Sequence, residues 1–380
     1  MLRKTFFDIA PAGTFADSKP HYAILDGLRG VAALMIILYH VFECFDWSPA
    51  PHGYLAVDFF FVLSGFVIGY AYDGRWGQMG TMSFFRRRLI RLHPMVVMGA
   101  LLGAVTFLLQ GSVKWDGTHV GLGMVMLSLL AGMLMLPLWP GAAADVRGNG
   151  EMFPLNGPNW SLFFEYVGNV LYALLLRRLP TRWLALVTLL SGLLLVGVSL
   201  RDGFLGVGWS MVDGGLWAGL VRMLFPYTMG MLMARMFRPV KVRGSFWLCG
   251  AMIVLTGLVP AFSPASSAWL SGLYDALCVL LVFPALVWLG ASELHVGQLT
   301  QRVSRWLGDL SYPLYAIHYP FMYLFYAHIG FDGNLVPIGG LRAVWPWAVV
   351  LPVGCVVLAW LCLRLYDLPL RRWLMRRWAC

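Results

Sequence analysis

Charged residues are scarce in this sequence: Asp, Glu, Lys and Arg make up 12% of its 380 residues, whereas 59% are hydrophobic. A soluble chain of this length could not hide so much apolar surface from water. The alternation typical of barrel strands is also absent, so we expect the apolar stretches to be helices. The composition therefore predicts an all-α polytopic membrane protein.

Three further features are missing. The six cysteines include no Cys-x-x-Cys pair and the histidines do not cluster, so no metal site is predicted. The segment 1–20 has basic residues but neither an apolar core nor a cleavage site, so it does not resemble a removable signal peptide. No internal repeat is visible, which disfavours transporter folds built from duplicated halves.

Hydrophobic segments, by contrast, recur along the whole sequence. Eleven approach or exceed the roughly 20 residues that a membrane helix needs: 23–45, 54–72, 92–110, 119–138, 159–176, 183–200, 214–236, 245–263, 269–290, 309–329 and 342–364. They predict three parts, an N-terminal arm at 1–20, a transmembrane domain at 21–370 and a basic tail at 371–380. Membrane lipids are the expected surroundings.

Positive charges lie between these segments, in loops that the positive-inside rule assigns to the cytoplasm: 86–91, 177–182, 235–243, 302–305 and 371–377. We attribute the net charge of +10 to this topology rather than to nucleic-acid binding. Both termini are then cytoplasmic, which requires an even number of crossings. Prolines between 111 and 165 favour one re-entrant or non-spanning segment there, leaving about ten transmembrane helices.

The first segment carries the main candidates for chemistry, Arg29 and His40, which are eleven residues apart. Eleven residues are three helical turns plus about 20°, so both side chains lie on one face with an axial offset of about 16 Å. An ionisable residue inside a membrane span is a functional candidate. The alternatives are an interhelical hydrogen bond for His40 and a snorkelling, topology-setting role for Arg29.

Other polar residues lie near these two in the predicted bundle. Glu43 and Asp58 are candidates to orient His40, and Asp58 could instead be a helix cap, the partner of a basic group or an acceptor-site residue. Ser64, followed by Gly65, favours close packing of helices. Glu165 lies in an apolar helix after Trp160 and Ser161, and it is either catalytic or a satisfied buried carboxyl. A polar stripe follows later in the chain, at Ser311, Tyr312, Tyr315 and His318.

The arginine run before Pro94 allows two interpretations. Arg86, Arg87, Arg88 and Arg91 could contact anionic headgroups at the cytoplasmic surface. They could equally hold the phosphates of a nucleotide-bearing donor, because guanidinium groups bind phosphate bidentately.

In this order the motifs resemble the acyltransferase 3 family of integral membrane acyltransferases over nearly the whole chain. The resemblance rests on Arg29 and His40, on the run 58–66, on the arginines before Pro94, on residues 160–165, and on residues 307–318. The C-terminal end is similar to a Tyr-x-x-Glu-x-Pro-x-Arg signature through Asp367, Pro369 and Arg371, with Asp in place of Glu. We therefore assign Asp367 no catalytic role. The chain looks like the stand-alone form, without an additional esterase-like domain.

The resemblance implies an O-acyltransferase of the cell inner membrane. The enzyme would use acyl-CoA, with acetyl-CoA as the expected co-substrate, and no tightly bound cofactor is expected. It would acylate an extracytoplasmic carbohydrate or another acceptor with a hydroxyl group. We expect Arg29 and the arginine run to hold donor phosphates and His40 to act as general base. An acyl-histidine intermediate is the less favoured variant of this mechanism.

The alternative function is a secondary transporter with a proton relay through His40, Glu165 and His318. The oligomeric state is not specified.

Overall fold

The structure is a computed structural model that describes residues 21–43, 45, 47–262, 267–329 and 340–378, without the side chains of 213 and 340–344. The predicted arm at 1–20 thus lies outside the described residues. The α-helices are α1 (Ala23–Phe42), α2 (Ala56–Tyr72), α3 (Thr81–Leu109), α4 (Leu122–Met133), α5 (Asn159–Leu174), α6 (Thr181–Asp202), α7 (Gly215–Met236), α8 (Ser245–Leu258), α9 (Ala268–Leu277), α10 (Phe283–Ser292), α11 (Gln298–Ile317), α12 (Tyr319–His328), α13 (Gly340–Cys362) and α14 (Leu368–Trp378).

The fold is all-helical, as the sequence predicts, and the described residues contain no strand, only two isolated bridges. Seven described stretches are long and apolar enough to cross a membrane: Ala23–Phe42, Gly53–Arg75, Thr81–Leu109, Thr181–Asp202, Gly215–Met236, Ala268–Ser292 and Trp345–Trp378. Short π-helical turns at Cys278–Val282 and Leu363–Asp367 join α9 to α10 and α13 to α14. The count of ten crossings and the position of the termini stay predictions.

Several segment predictions need correction. The arginine run was expected in a loop, but residues 86–91 are helical and belong to α3, whose 29 residues extend well beyond one bilayer crossing. Residues 302–305 and 371–377 were also expected outside the helices, but they belong to α11 and α14. The segment predicted at 309–329 is divided at His318 into α11 and α12. Pro320, in the first turn of α12, has no N–H to donate to the preceding turn and so favours this break.

The helices are apolar on the outside because lipid is their solvent. On α6, for example, Leu189 and Leu193 are 60% and 62% exposed. Such exposure would be costly in water and is ordinary against acyl chains.

Glycines allow two pairs of helices to approach closely. An added Cβ at Gly65 of α2 would lie 2.0 Å from the carbonyl oxygen of Tyr227 on α7, and one at Gly230 of α7 would lie 2.1 Å from that of Val62. On α1, Gly30 meets Leu307 of α11 in the same way. The predicted packing role of Gly65 therefore corresponds to a reciprocal backbone contact.

Between α4 and α5 the described chain is irregular but held by polar contacts. Arg147 is 1% exposed, donates to the carbonyl oxygen of Pro154 at 3.1 Å and to Gln110 Oε1 at 2.6 Å, and lies over the ring of Tyr323. The preceding helix, α4, has 12 residues and is about 18 Å long, shorter than the roughly 30 Å hydrocarbon core. The sequence predicts a non-spanning segment in this region.

Candidate active site

One cavity of about 480 Å³ lies between α1, α2, α3, α5 and α11, and the junction of α13 with α14 closes one side. We call it the arginine cavity, because six arginines line it: Arg29, Arg75, Arg88, Arg91, Arg305 and Arg371. Four acidic residues also line it: Asp26, Glu165, Asp309 and Asp367. The rest of the wall is largely apolar. The cavity can therefore take a ligand with an anionic end and an apolar stem.

Arg29 is positioned from α11. Its Nε donates to Ser311 Oγ at 2.7 Å, and one terminal nitrogen donates to the carbonyl oxygen of Gly308 at 3.1 Å. The same nitrogen lies 3.3 Å from Asp26 Oδ1. These contacts fix the guanidinium at the wall of the arginine cavity, and they give Ser311 a direct role in holding Arg29.

The predicted arginine run is divided by the structure. Arg88 and Arg91 line the cavity, whereas Arg86 and Arg87 are not among its described lining residues. Helical geometry explains the division, because residues 86, 87 and 88 are consecutive and about 100° apart around the axis of α3, whereas Arg91 lies three residues after Arg88 and on the same side.

Glu165 does not stand alone, because Arg88 donates to Glu165 Oε1 at 2.6 Å and Ser64 Oγ donates to it at 3.0 Å. Arg88 is buried, so the pair forms a neutralised part of the cavity wall. The structure thus gives Glu165 the alternative role of a satisfied carboxyl, and Ser64 a polar contact besides packing. The hydrogen bonds of Glu165 go to Ser64 and Arg88 and, among the described residues, not to His40 or His318, so the geometry does not assemble the proton relay of the transporter hypothesis.

His40 lies at the opposite end of α1, with its side chain 14% exposed. Its Nδ1 is 2.7 Å from Glu43 Oε2. Two phenols, Tyr319 at 3.0 Å and Tyr326 at 2.7 Å, donate to Glu43 Oε1. Since a carboxylate accepts, Nδ1 carries the proton of the neutral imidazole and Nε2 carries a lone pair.

His40 is not a lining residue of the arginine cavity, but a chain of contacts leads to it. Tyr315 and Ser161 line the cavity, and their hydroxyls are 2.5 Å apart. The ring of Tyr315 lies 5.8 Å from that of His318, which lies 5.4 Å from that of His40. Arg29 and His40 both face α11 and its continuation, and α1 is unbroken between them, so their axial offset is about 16 Å.

Three other predicted residues have structural partners. Asp58 is fully buried and accepts from Arg222 at 2.7 and 2.9 Å, so it is the partner of a basic group. Trp160 packs 5.1 Å from the same guanidinium. The Tyr312 hydroxyl donates to the carbonyl oxygen of Leu92 and so ties α11 to α3.

A family model described as an acyltransferase domain matches residues 22–365. The chain belongs to the acyltransferase 3 family. The resemblance that the sequence motifs suggest is confirmed, and with it an O-acyltransferase activity and a multi-pass membrane protein.

Curated relatives agree with the acyltransferase 3 assignment. The chain is 38% identical to protein 2 in the picA locus of Rhizobium radiobacter over 47% of this chain and 90% of that protein. It is 24% identical to acyltransferase MdmB of Streptomyces mycarofaciens over 82% of this chain and 81% of that protein. A putative O-acetyltransferase of Staphylococcus aureus (strain COL) is 40% identical over 23% of this chain and 14% of that protein. No solved structure matches the chain.

Sequence reasoning missed several residues of this cavity. Asp26, Arg75, Arg305 and Asp309 line the arginine cavity without having been predicted there. Asp26, three residues before Arg29, could have been found from helical spacing. The other three follow from how separate helices pack, which spacing does not reveal.

Glu151 is a further carboxyl near the His40 end. It accepts from the Tyr323 hydroxyl and from Asn149 Nδ2 at 2.8 Å, and the ring of Tyr323 lies 4.6 Å from that of Tyr319. Burial in the irregular stretch raises the pKa of Glu151 to about 7. Near neutral pH this carboxyl is therefore partly protonated.

Proposed function

We propose that this acyltransferase moves an acyl group, expected to be acetyl, from cytoplasmic acyl-CoA to a hydroxyl of an extracytoplasmic acceptor. The expected acceptor is a carbohydrate of a surface or exported glycan, and the expected location is the inner membrane with both termini cytoplasmic. The observation that carries the proposal is α1, which holds Arg29 in a cationic cavity at one end and His40 at the other.

The arginine cavity supports an acyl-CoA donor. Arg29 and the exposed Arg91 would contact the donor phosphates, since guanidinium groups bind phosphate oxygens bidentately. Apolar lining residues of the cavity, such as Val57, Phe60 and Val67, suit the neutral pantetheine arm. Arg88 has a different task in this scheme, because its charge is paired with Glu165. We propose that Arg86 and Arg87 contact lipid headgroups instead.

His40 supplies the base. Its Nε2 takes the proton of the acceptor hydroxyl while the oxygen attacks the thioester carbonyl carbon. The tetrahedral intermediate then collapses, the carbon–sulfur bond breaks, and His40 returns the proton to the thiolate of CoA. General-base catalysis of this kind contributes a factor of about 10² to 10⁴ in rate. Glu43 holds the proton-bearing Nδ1 and stabilises the imidazolium that forms between the two transfers.

The thioester would reach His40 past Tyr315. The hydroxyl contact between Tyr315 and Ser161 lies between the arginine cavity and the two histidines, so rotation of the Tyr315 side chain would join the cavity to His40. This path gives Ser161 and Tyr315 supporting roles in the proposed reaction.

The proposal can be tested in membranes that contain the full chain. Acetylated products formed with labelled acetyl-CoA would be measured for His40→Ala and Arg29→Ala, with His295→Ala and Arg238→Ala as controls from exposed connections. We expect His40→Ala to abolish acetylation, Arg29→Ala to raise the donor KM, and the controls to match the wild type. Full activity of an inserted His40→Ala variant would overturn the proposal. Mass spectrometry of the labelled fraction then identifies the acceptor.

A further inference from the structure

His318 lies at the break between α11 and α12 and is fully buried. Its ring centroid is 5.4 Å from that of His40, and the two planes are inclined by 31°. The catalytic scheme above uses only one of these two neighbouring imidazoles. The question is what the second one binds.

The proton on His318 can be assigned from its neighbours. Its Nδ1 lies 2.8 Å from the carbonyl oxygen of Tyr315 and 3.2 Å from that of Leu314. A carbonyl oxygen only accepts, so Nδ1 carries the proton and Nε2 of the neutral ring carries a lone pair. That Nε2 is buried and has no hydrogen-bond partner among the described residues. A buried acceptor without a donor is unfavourable, so a bound molecule that supplies one is favoured there.

The two histidines therefore both need a hydrogen-bond donor from a ligand. Each has its Nδ1 proton directed to an acceptor of the protein, and each offers Nε2 as an acceptor. One hydroxyl has one proton and can donate to only one of the two nitrogens. Serving both nitrogens takes two hydroxyls held close together.

We propose that His318 Nε2 accepts a hydrogen bond from a second hydroxyl of the acceptor, adjacent to the one that His40 deprotonates. The site thus selects vicinal diols over isolated alcohols. The inference rests on the proposed function, since it uses His40 as the base. A ligand would enter past Tyr319, whose ring lies 4.6 Å from that of His40 and 5.9 Å from that of His318 and whose hydroxyl donates to Glu43.

The test uses the full chain in detergent with acetyl-CoA and two matched alcohols, cis-1,2-cyclohexanediol and cyclohexanol. Two variants separate the hydrogen bond from the shape of the ring. His318→Phe keeps a planar ring without the acceptor, and His318→Gln restores an acceptor oxygen near the position of Nε2. Monoacetylated products are quantified by mass spectrometry, and kcat/KM is compared for each alcohol and variant.

In the wild type we expect the diol to be favoured about tenfold or more, the size of one lost hydrogen bond to a buried group. His318→Phe should lose that preference by slowing the diol alone, and His318→Gln should regain part of it. The donor KM should stay unchanged in both variants. Equal values for the two alcohols in the wild type, including no turnover of either, overturn the proposal. So does a preference that survives in His318→Phe, which would mean that water alone serves Nε2.

The two proposals fail separately. Acetylation of endogenous acceptors in membranes is measured for His40→Gln and His318→Phe side by side. If His40→Gln loses acetylation while His318→Phe keeps the wild-type rate and acceptor KM, only the role of His318 is contradicted. If His40→Gln keeps the wild-type rate, the proposed function itself is contradicted.

Discussion

Among the described residues of this acyltransferase, two histidine–carboxylate pairs have the same Nδ1–oxygen distance and different surroundings. His40 Nδ1 lies 2.7 Å from Glu43, and His52 Nδ1 lies 2.7 Å from Asp275. The side chains of the first pair are 14% and 21% exposed, whereas those of the second are 1% and 0% exposed. The hydrogen bond alone therefore does not distinguish an active centre from a structural contact.

The surroundings of the second pair explain the difference. Asp275 also accepts from the Tyr54 hydroxyl at 2.6 Å and from the backbone N–H of Leu205 at 2.8 Å. The ring of His52 packs 4.7 Å from that of Tyr274 and is not a lining residue of the described cavities. Asp275 thus joins residues far apart in the chain, while Glu43 holds a histidine whose ring lies 5.4 Å from a second imidazole, that of His318.

The largest expected difference between the pairs is in catalysis. His40→Gln should lower the acetylation rate by a factor of about 10² to 10⁴, because the general base is lost. His52→Gln should keep the rate per folded molecule within about twofold, since it touches no part of the proposed reaction. Both are measured as initial rates with labelled acetyl-CoA, normalised to folded protein by size-exclusion chromatography. Equal losses of acetylation rate in the two variants would contradict the different roles assigned to the two pairs.

The carboxylates should show the opposite order in stability. Asp275→Asn removes the charge that three buried donors share and should lower the free energy of unfolding by about 2–3 kcal/mol. Glu43→Gln, which is partly exposed, should cost about 1 kcal/mol or less. Thermal unfolding in detergent measures both. A larger stability loss at Glu43 than at Asp275 would contradict the assignment of Asp275 as the structural carboxylate.

Glu43→Gln should nevertheless lower activity by about 10²-fold, because the amide no longer stabilises the imidazolium of His40. Initial rates with labelled acetyl-CoA, normalised to folded protein, measure this loss. An unchanged rate would remove Glu43 from the mechanism.

The smallest effect is expected at Glu151, near the His40 end but without a histidine partner. Burial raises the pKa of this carboxyl to about 7, so in the folded protein it binds its proton more tightly than in the unfolded chain. Wild-type stability should thus fall as the pH rises from about 4.5 to above 7. Glu151→Gln mimics the protonated form and should flatten that dependence while changing activity less than about threefold. Melting temperatures of the wild type and of Glu151→Gln across this pH range test the expected dependence, with Glu43→Gln as the comparison variant.

The sequence predicted what depends on neighbours along one helix. Apolar length predicted the all-helical membrane fold, and the spacing of Arg29 and His40 predicted two side chains on one side of α1. Glu43 was a candidate for orienting His40 because three residues are nearly one turn. Each of these follows from local geometry alone.

Contacts between distant helices were beyond such reasoning. The pairing of Arg88 with Glu165, of Asp58 with Arg222 and of His52 with Asp275 depends on helix packing, which the order of apolar segments leaves open. The proximity of His318 to His40 is of the same kind. The sequence identified the residue types suited to the chemistry, but only the packed bundle distinguishes free bases from neutralised ones.

The continuity of α1 has a practical consequence for changing this enzyme's specificity. Because Arg29 and His40 belong to one uninterrupted helix, a substitution that shifts α1 along its axis displaces both ends together. In the proposed reaction, donor and acceptor preferences would then change at once. Residues on the surrounding helices are better targets, because α3 can be altered near Arg29 and α12 near His40 while the shared axis stays in place.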